Sequence, residues 1–246
     1  MRRTQHGYQP DLAYIHHTAY SGFVADAAPG LLRMLDRNGI RKGLVVDLGC
    51  GAGEWAHALT RRGYSAFGLD ISPAMIALAR KTAPQARFAV GSFRNTKLPH
   101  CAAVTALGEV LNYTFDGDRG RAELARFFAR VHEALEPGGL LIFDVAEPGR
   151  VDPRQPARNW FEGKDWALLL ELKENARQHT LTRRMTIFRK LGSAYRRSEE
   201  IHRLRLYPRA DILRDLRAAG FTARTISRYG KTKFWRGLVG CVARKR

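Results

Sequence analysis

The chain has only three cysteines in 246 residues, Cys50, Cys101 and Cys241, far apart and odd in number. With no Cys-x-x-Cys and no histidines at ligand spacing, a disulfide framework and a structural zinc are both excluded. The three read as small buried hydrophobes in a reducing compartment. No uninterrupted apolar run approaches the roughly 18 residues of a membrane span, and the basic, polar start Met1-Arg2-Arg3-Thr4-Gln5-His6 leads into no apolar signal core. A soluble, cytoplasmic protein without metal or membrane partner is expected. Acid is scarce too: 23 Asp+Glu face 42 Lys+Arg, a formal net charge of +19. The excess lies late, since residues 1–150 hold 18 Lys+Arg and 14 Asp+Glu whereas residues 151–246 hold 24 and 9. No block of five basic residues occurs, so an arginine-rich composition and a functional basic face account for the charge equally.

What the chain does have is a glycine-rich turn. Val45-Val46-Asp47-Leu48 is an apolar strand that runs into Gly49, Gly51 and Gly53, a spacing that suits a tight strand-to-helix turn with a ligand against its backbone. Gly68-Leu69-Asp70-Ile71 ends a second strand in a carboxylate, where a doubly wound sheet places a ribose-binding acid. The nicotinamide fingerprint needs its third glycine three positions after the second; that position is Glu54, so another nucleotide is indicated.

Asp47-x-Gly49-x-Gly51-x-Gly53, followed by Asp70, resembles motif I and its partner in class I S-adenosylmethionine-dependent methyltransferases. Asp70-Ile71-Ser72-Pro73-Ala74-Met75, Thr105-Ala106-Leu107-Gly108-Glu109 and Leu135-Glu136-Pro137-Gly138-Gly139-Leu140-Leu141-Ile142-Phe143 extend that resemblance, in order, over roughly residues 44 to 146. It implies a doubly wound, seven-stranded, mostly parallel α/β sheet of Rossmann type in a single domain. The expected parts are an N-terminal helical cap at 1–43, a cofactor-binding core at 44–150, an antiparallel lid insert after the fifth strand at 155–207 and the end of the core sheet at 208–246.

Regular alternation of strands and helices supports a parallel sheet with right-handed crossovers. Expected strands are Leu44–Leu48, Ser65–Leu69, Arg87–Val90 and Ala103–Leu107. Expected helices are Asp11–Tyr20, Val24–Asn38, Glu54–Arg62, one from Pro73 to about Thr82 capped by Ser72, and Arg119–Leu135. Trp166–Leu172 and Leu181–Leu191 read as a hairpin. Tyr195–Tyr207 alternates, with Ile201, Arg203, Arg205 and Tyr207 on one face and His202, Leu204 and Leu206 on the other. Pro208–Ala219 is a helix closed by Gly220, followed by strands Phe221–Ser227 and Trp235–Ala243.

The resemblance places S-adenosylmethionine, or its demethylated product, against Tyr20, Asp47, Gly49, Gly51, Gly53, Trp55, Asp70, Ile71, Met75, Gly91, Ser92, Phe93, Leu107, Gly108 and Glu109. Asp70 would accept from the ribose hydroxyls, and Ser92 stands where an acidic residue is often found. Glu109, Tyr113 and His202 are the catalytic candidates, because a base is needed where the accepting atom carries a proton. His16, Asn112, Tyr113, Arg203 and Arg205 are the substrate candidates, the arginines as a grip for an anionic group. His17 cannot share a direction with His16 on a helix; Trp160, Phe161 and Trp166 either roof the pocket or fill its core. The expected partner is a small molecule, with an anionic one suited to the arginines; an RNA methyltransferase and a non-catalytic cofactor-binding protein are the alternatives.

Overall fold

Seven strands form one sheet in which an interior position is taken by β1, Leu44–Leu48, the strand that delivers the glycine turn. The structure is a computed structural model and describes residues 7–20, 22–118, 120–152, 154 and 157–246, without the side chain of Tyr20. From β1 the sheet runs on one side through β2 (Ser65–Asp70) to β3 (Arg87–Val90). On the other it runs through β4 (Cys101–Ala106) and β5 (Leu135–Ala146), ending with β13 (Leu238–Lys245) and β10 (Phe221–Ile226). The pairs among β1 to β5 are parallel, and β13 runs antiparallel to both neighbours. The seven-stranded mostly parallel architecture is the one expected from the sequence.

Helices cover both faces. α2 (Gly22–Arg37) and α3 (Glu54–Arg61) pack on one side with Trp55, Leu31 and Leu35. α5 (Gly120–Ala134) and α6 (Arg209–Ala218) bury Phe127, Phe128, Ile212 and Leu216 on the other. α4 (Pro73–Thr82) starts as expected, with Ser72 Oγ accepting the Met75 N–H and Pro73 at the first turn. The first expected helix is interrupted: α1 is Pro10–Ile15 and continues as a π-helical turn over His16–Tyr20.

Between β5 and α6 the chain builds a separate four-stranded antiparallel sheet, β6 (Arg158–Gly163), β7 (Trp166–Asn175), β8 (Thr180–Leu191) and β9 (Ala194–Arg205). Strand β6 was absent from the sequence reading because all six of its residues are exposed, which leaves no alternation to detect. The short hairpin β11 (Arg228–Tyr229) and β12 (Thr232–Lys233) was likewise not anticipated. Among the described residues no helix is long and apolar enough to cross a membrane, and all three cysteines are buried and free.

Candidate active site

The carboxyl ends of β1, β2, β3 and β4 open into a cavity of about 370 Å³, roofed by the antiparallel insert and closed at one end by the N-terminal segment. Such a crevice outside the strand ends is where an open parallel sheet holds its ligand. Of the expected cofactor residues, Gly49, Gly51, Asp70, Ile71, Met75, Gly91, Ser92, Phe93, Leu107, Gly108 and Glu109 line it. The Tyr20 side chain lies outside the described residues.

The glycines divide the work. Gly51 has φ +54°, and a Cβ there would meet no atom within 4 Å, so its backbone borders open space that a ligand can take. Gly53 is a correction: it caps α3, and a Cβ would lie 3.0 Å from the Cα of Ala79, so it serves helix packing and does not line the cavity. Asp70 holds the turn and faces the cavity together. Its carboxylate accepts from the Gly51 N–H at 3.0 Å and the Ser72 N–H at 2.8 Å; burial pushes its carboxyl up, against the pull of those backbone donors. Each oxygen keeps a lone pair, which fits two ribose hydroxyls.

Two further cofactor expectations are corrected by burial. Asp47 points into the sheet, where it accepts the Thr105 hydroxyl at 2.8 Å, and burial pushes its carboxyl up to about 7. Trp55 is a core residue whose indole N–H donates to Thr105 Oγ1 at 3.1 Å. Ser92 is not alone at the end of β3. Its hydroxyl donates to Asp116, another cavity residue, which also pairs with Arg94 at 2.9 Å. An acid therefore reaches that place from the loop after β4.

The acceptor end is built around Glu109. Gly108 and Glu109 both adopt positive φ, +84° and +63°, and Asp144 holds them there by accepting the Gly108 N–H at 2.9 Å and the Glu109 N–H at 2.6 Å. A non-glycine residue in that region is sterically costly and is kept only by such an anchor. Asp144 is fully buried, takes a third bond from the Tyr229 hydroxyl at 3.0 Å, and has its carboxyl pushed up by burial to about 6. The Glu109 carboxylate receives Arg150 Nε at 2.8 Å and the guanidinium of Arg183. Burial pushes its carboxyl up, but the two arginines outweigh that and hold it below the usual carboxylate range. Arg183 also donates to the Tyr113 hydroxyl at 3.0 Å, which lies 3.0 Å from the hydroxyl of Tyr8.

Tyr113, His202 and His16 line the cavity as expected, whereas His17 pairs with Glu54 at 3.0 Å. Asn112 is fully buried and clamps backbone, bonding the N–H and C=O of Ala146 and the C=O of Arg205; it is not a substrate group. Arg203 and Arg205 are also corrected. Alternation along β9 gives the inner face to Glu200, His202 and Leu204, so Arg203 is exposed and Arg205 pairs with Asp118 at 2.6 Å. Tyr207 lies beyond the strand end and is buried in the core. Trp166 packs with Leu12 and Ile15, Phe161 lines the cavity and Trp160 is exposed.

Sequence reasoning missed Tyr8, Arg150, Arg183, Glu200 and Asp144. A signal existed for two: Arg183 shares the inward face of β8 with Leu181 and Met185, and Asp144 interrupts the apolar run of β5. A charge in such a position has a partner or a ligand.

Residues 45–139 match the family model described as a methyltransferase domain. A Geobacillus sp. (strain WCH70) protein carrying the provisional name of methyltransferase is 28% identical over 80% of this chain and 80% of its own length. The dTDP-3-amino-3,4,6-trideoxy-alpha-D-glucopyranose N,N-dimethyltransferase of Streptomyces venezuelae is 26% identical over 72% and 74%. An S-adenosylmethionine-dependent methyltransferase from Clostridium acetobutylicum superposes with a TM-score of 0.81 over 95% of this chain and 97% of its own, at 17% identity, a likeness of fold. The match makes residues 45–139 a methyltransferase domain, and the whole chain has the fold of S-adenosylmethionine-dependent methyltransferases. The glycine turn, Asp70 and the loop after β4 open into one cavity that continues under the insert.

Proposed function

We propose that the protein transfers a methyl group from S-adenosylmethionine to a small molecule enclosed between the sheet edge and the antiparallel insert. The observation that carries this is the continuity of the cavity. Its floor is the nucleotide crevice at Gly51 and Asp70, and its roof is the apolar underside of β7 and β8, Leu168, Leu170, Leu172, Leu181 and Met185. The cofactor supplies an electrophilic methyl on a sulfonium; the protein's part is to bind it, hold the acceptor in line and keep water out. Gly51 leaves room for the cofactor backbone, Asp70 takes the ribose, and Leu107 to Glu109 border its methionine end. The insert acts as the lid in this reading.

Enclosure favours a small acceptor over RNA, and so does the state of the late arginines. Arg189, Arg196, Arg205, Arg209 and Arg236 are each paired with a carboxylate, which leaves less of the formal charge free for phosphates. The test is incubation of the protein with isotopically labelled S-adenosylmethionine and a bacterial extract divided into small molecules and RNA. Label in a small molecule is expected; label in RNA alone overturns the reading.

A further inference from the structure

The underside of the insert carries an acid–base pair that methyl transfer as such does not require. Glu200 and His202 stand two residues apart on the inner face of β9, each 1% exposed. Glu200 Oε1 accepts the Gln9 N–H at 3.1 Å, and Oε2 lies 2.8 Å from His202 Nε2. A carboxylate only accepts, so the imidazole proton belongs on Nε2 and the lone pair on Nδ1. His202 lines the cavity, and among the described residues its Nδ1 has no hydrogen-bond partner yet is not sealed from the cavity. A base nitrogen with a carboxylate behind it is the arrangement that orients a general base.

The surroundings narrow what that base meets. Arg183 is the cross-strand partner of His202 on β8, Tyr8 from the N-terminal segment and Tyr113 from the loop after β4 pack on its ring at centroid distances of 4.9 and 5.7 Å, and His16 lies beyond Tyr8. Arg150 and Arg183 both hold the carboxylate of Glu109, and Glu200 stands behind His202, so the two positive and two negative charges balance. Arg183, directly across the strand pair from His202, is the charge on the acceptor's side of the ring; it opposes an ammonium there and favours an oxygen becoming anionic. Tyr8 and Tyr113 share one hydrogen bond while Arg183 donates to Tyr113, so whichever way that bond points, one phenolic O–H remains to donate to an acceptor oxygen. On the insert's side the wall is otherwise apolar, Phe161, Leu168, Leu170, Leu172, Leu181 and Met185.

We infer that His202 is the general base of the reaction, that Glu200 is its positioning residue, and that the acceptor is an ionisable hydroxyl, a phenol or enol, carried on an apolar body. This rests on the cavity being the acceptor site. The hydroxyl O–H bond breaks with its proton passing to Nδ1, the oxygen pair forms the bond to the methyl carbon, and the methyl–sulfur bond breaks with its pair left on sulfur. The imidazolium then returns the proton to water.

The probe is 4-nitrophenol, added with S-adenosylhomocysteine to protein labelled with ¹⁵N-histidine, the His202 signals being identified by their loss in His202→Gln. The expected wild-type spectrum has Nε2 protonated and Nδ1 bare. On adding the probe Nδ1 becomes protonated, and the phenolate absorption band appears at a pH where the free phenol is neutral. Glu200→Gln is expected to move the pH midpoint of that band and His202→Gln to abolish it, with S-adenosylhomocysteine binding kept in both; turnover of a phenol substrate falls about 100-fold or more in His202→Gln. A wild-type proton on Nδ1, an Nδ1 signal indifferent to the probe, or tighter binding of 4-nitrobenzylamine than of 4-nitrophenol overturns the proposal. Those outcomes with S-adenosylhomocysteine still bound leave the methyl-transfer reading standing, whereas wild-type protein that does not bind S-adenosylhomocysteine overturns both.

Discussion

The carboxylate of Asp70 accepts the backbone N–H of Gly51 from the neighbouring strand's turn at 3.0 Å, so the residue assigned to the ribose also fixes the glycine assigned to the cofactor backbone. Removing that carboxylate loosens the turn and the ligand contact at once. Asp70→Ala is expected to weaken S-adenosylhomocysteine by roughly 1.5 to 3 kcal/mol for each hydroxyl bond lost and to lower the melting temperature. Asp70→Asn keeps an accepting oxygen for Ser72 or Gly51 and is expected to fall between the two. Calorimetric titration beside thermal unfolding separates the effects; unchanged affinity in Asp70→Ala refutes the assignment.

Gly51 and Gly53 are expected to part company when each is changed to alanine. Both have positive φ, which costs an alanine about 1 to 2 kcal/mol. At Gly53 the new methyl also meets the Ala79 backbone at 3.0 Å, so its stability loss is the larger; at Gly51 the methyl enters open cavity and takes ligand space. Gly51→Ala should therefore lose more than about tenfold in cofactor affinity, with an unfolding midpoint lowered less than that of Gly53→Ala. Equal binding losses in the two variants defeat this division.

The motif residues were legible in the sequence because a parallel sheet places ligand groups at strand ends, and strand ends are marked by apolar runs stopping at glycine or acid. That logic located Gly51, Asp70, Gly91 and Glu109. It also pointed to Asp47, Gly53 and Trp55, which do not line the cavity, because a motif contains residues that build the turn and the core beneath it. The insert was harder: His202 was found by alternation, but the same alternation was not used to exclude Arg203 and Arg205. The inward position of Arg183 is visible in the alternation of β8, but its partner Glu109 and the Gln9 that donates to Glu200 lie 74 and 191 residues away in the chain. Long-range pairing of that kind leaves no local pattern.

Asp47 predicts a pH dependence of stability. Burial raises its carboxyl to about 7 in the folded chain, against 3.8 ordinarily, so the folded state holds this proton more tightly than the unfolded state. The associated stability is complete below the ordinary carboxylate range and is lost as pH rises from about 4 to about 7. The gap sets an upper bound of about 4 kcal/mol. Asp47→Asn retains the oxygen that accepts from Thr105 and removes the charge. It is expected to come closest to the wild type near pH 4 and to be more stable at pH 8, as measured by denaturant unfolding at the two pH values. An Asn variant no more stable than the wild type at pH 8 contradicts an ionised, penalised Asp47.

The lid role of the insert predicts where protection from hydrogen exchange should grow. Its underside contributes Leu168, Leu170, Leu172, Leu181, Arg183 and Met185 to the cavity, and Arg183 ties it to Glu109 of the core. Its outer edge β6 has every residue exposed. Filling the cavity removes water from the underside and adds contacts across it, so opening of β7 and β8 becomes less frequent. Exchange over residues 166–191 is expected to slow when S-adenosylhomocysteine and an acceptor are present together, with β6 changing little. Arg183→Met cuts the tie to Glu109 and is expected to speed exchange of β8 in the free protein. Glu109, left with Arg150 as its ionic partner, stays satisfied, so the core sheet should exchange as in the wild type. Identical exchange of 166–191 in all states, together with methyl transfer surviving deletion of residues 158–205, leaves the insert no part in closure.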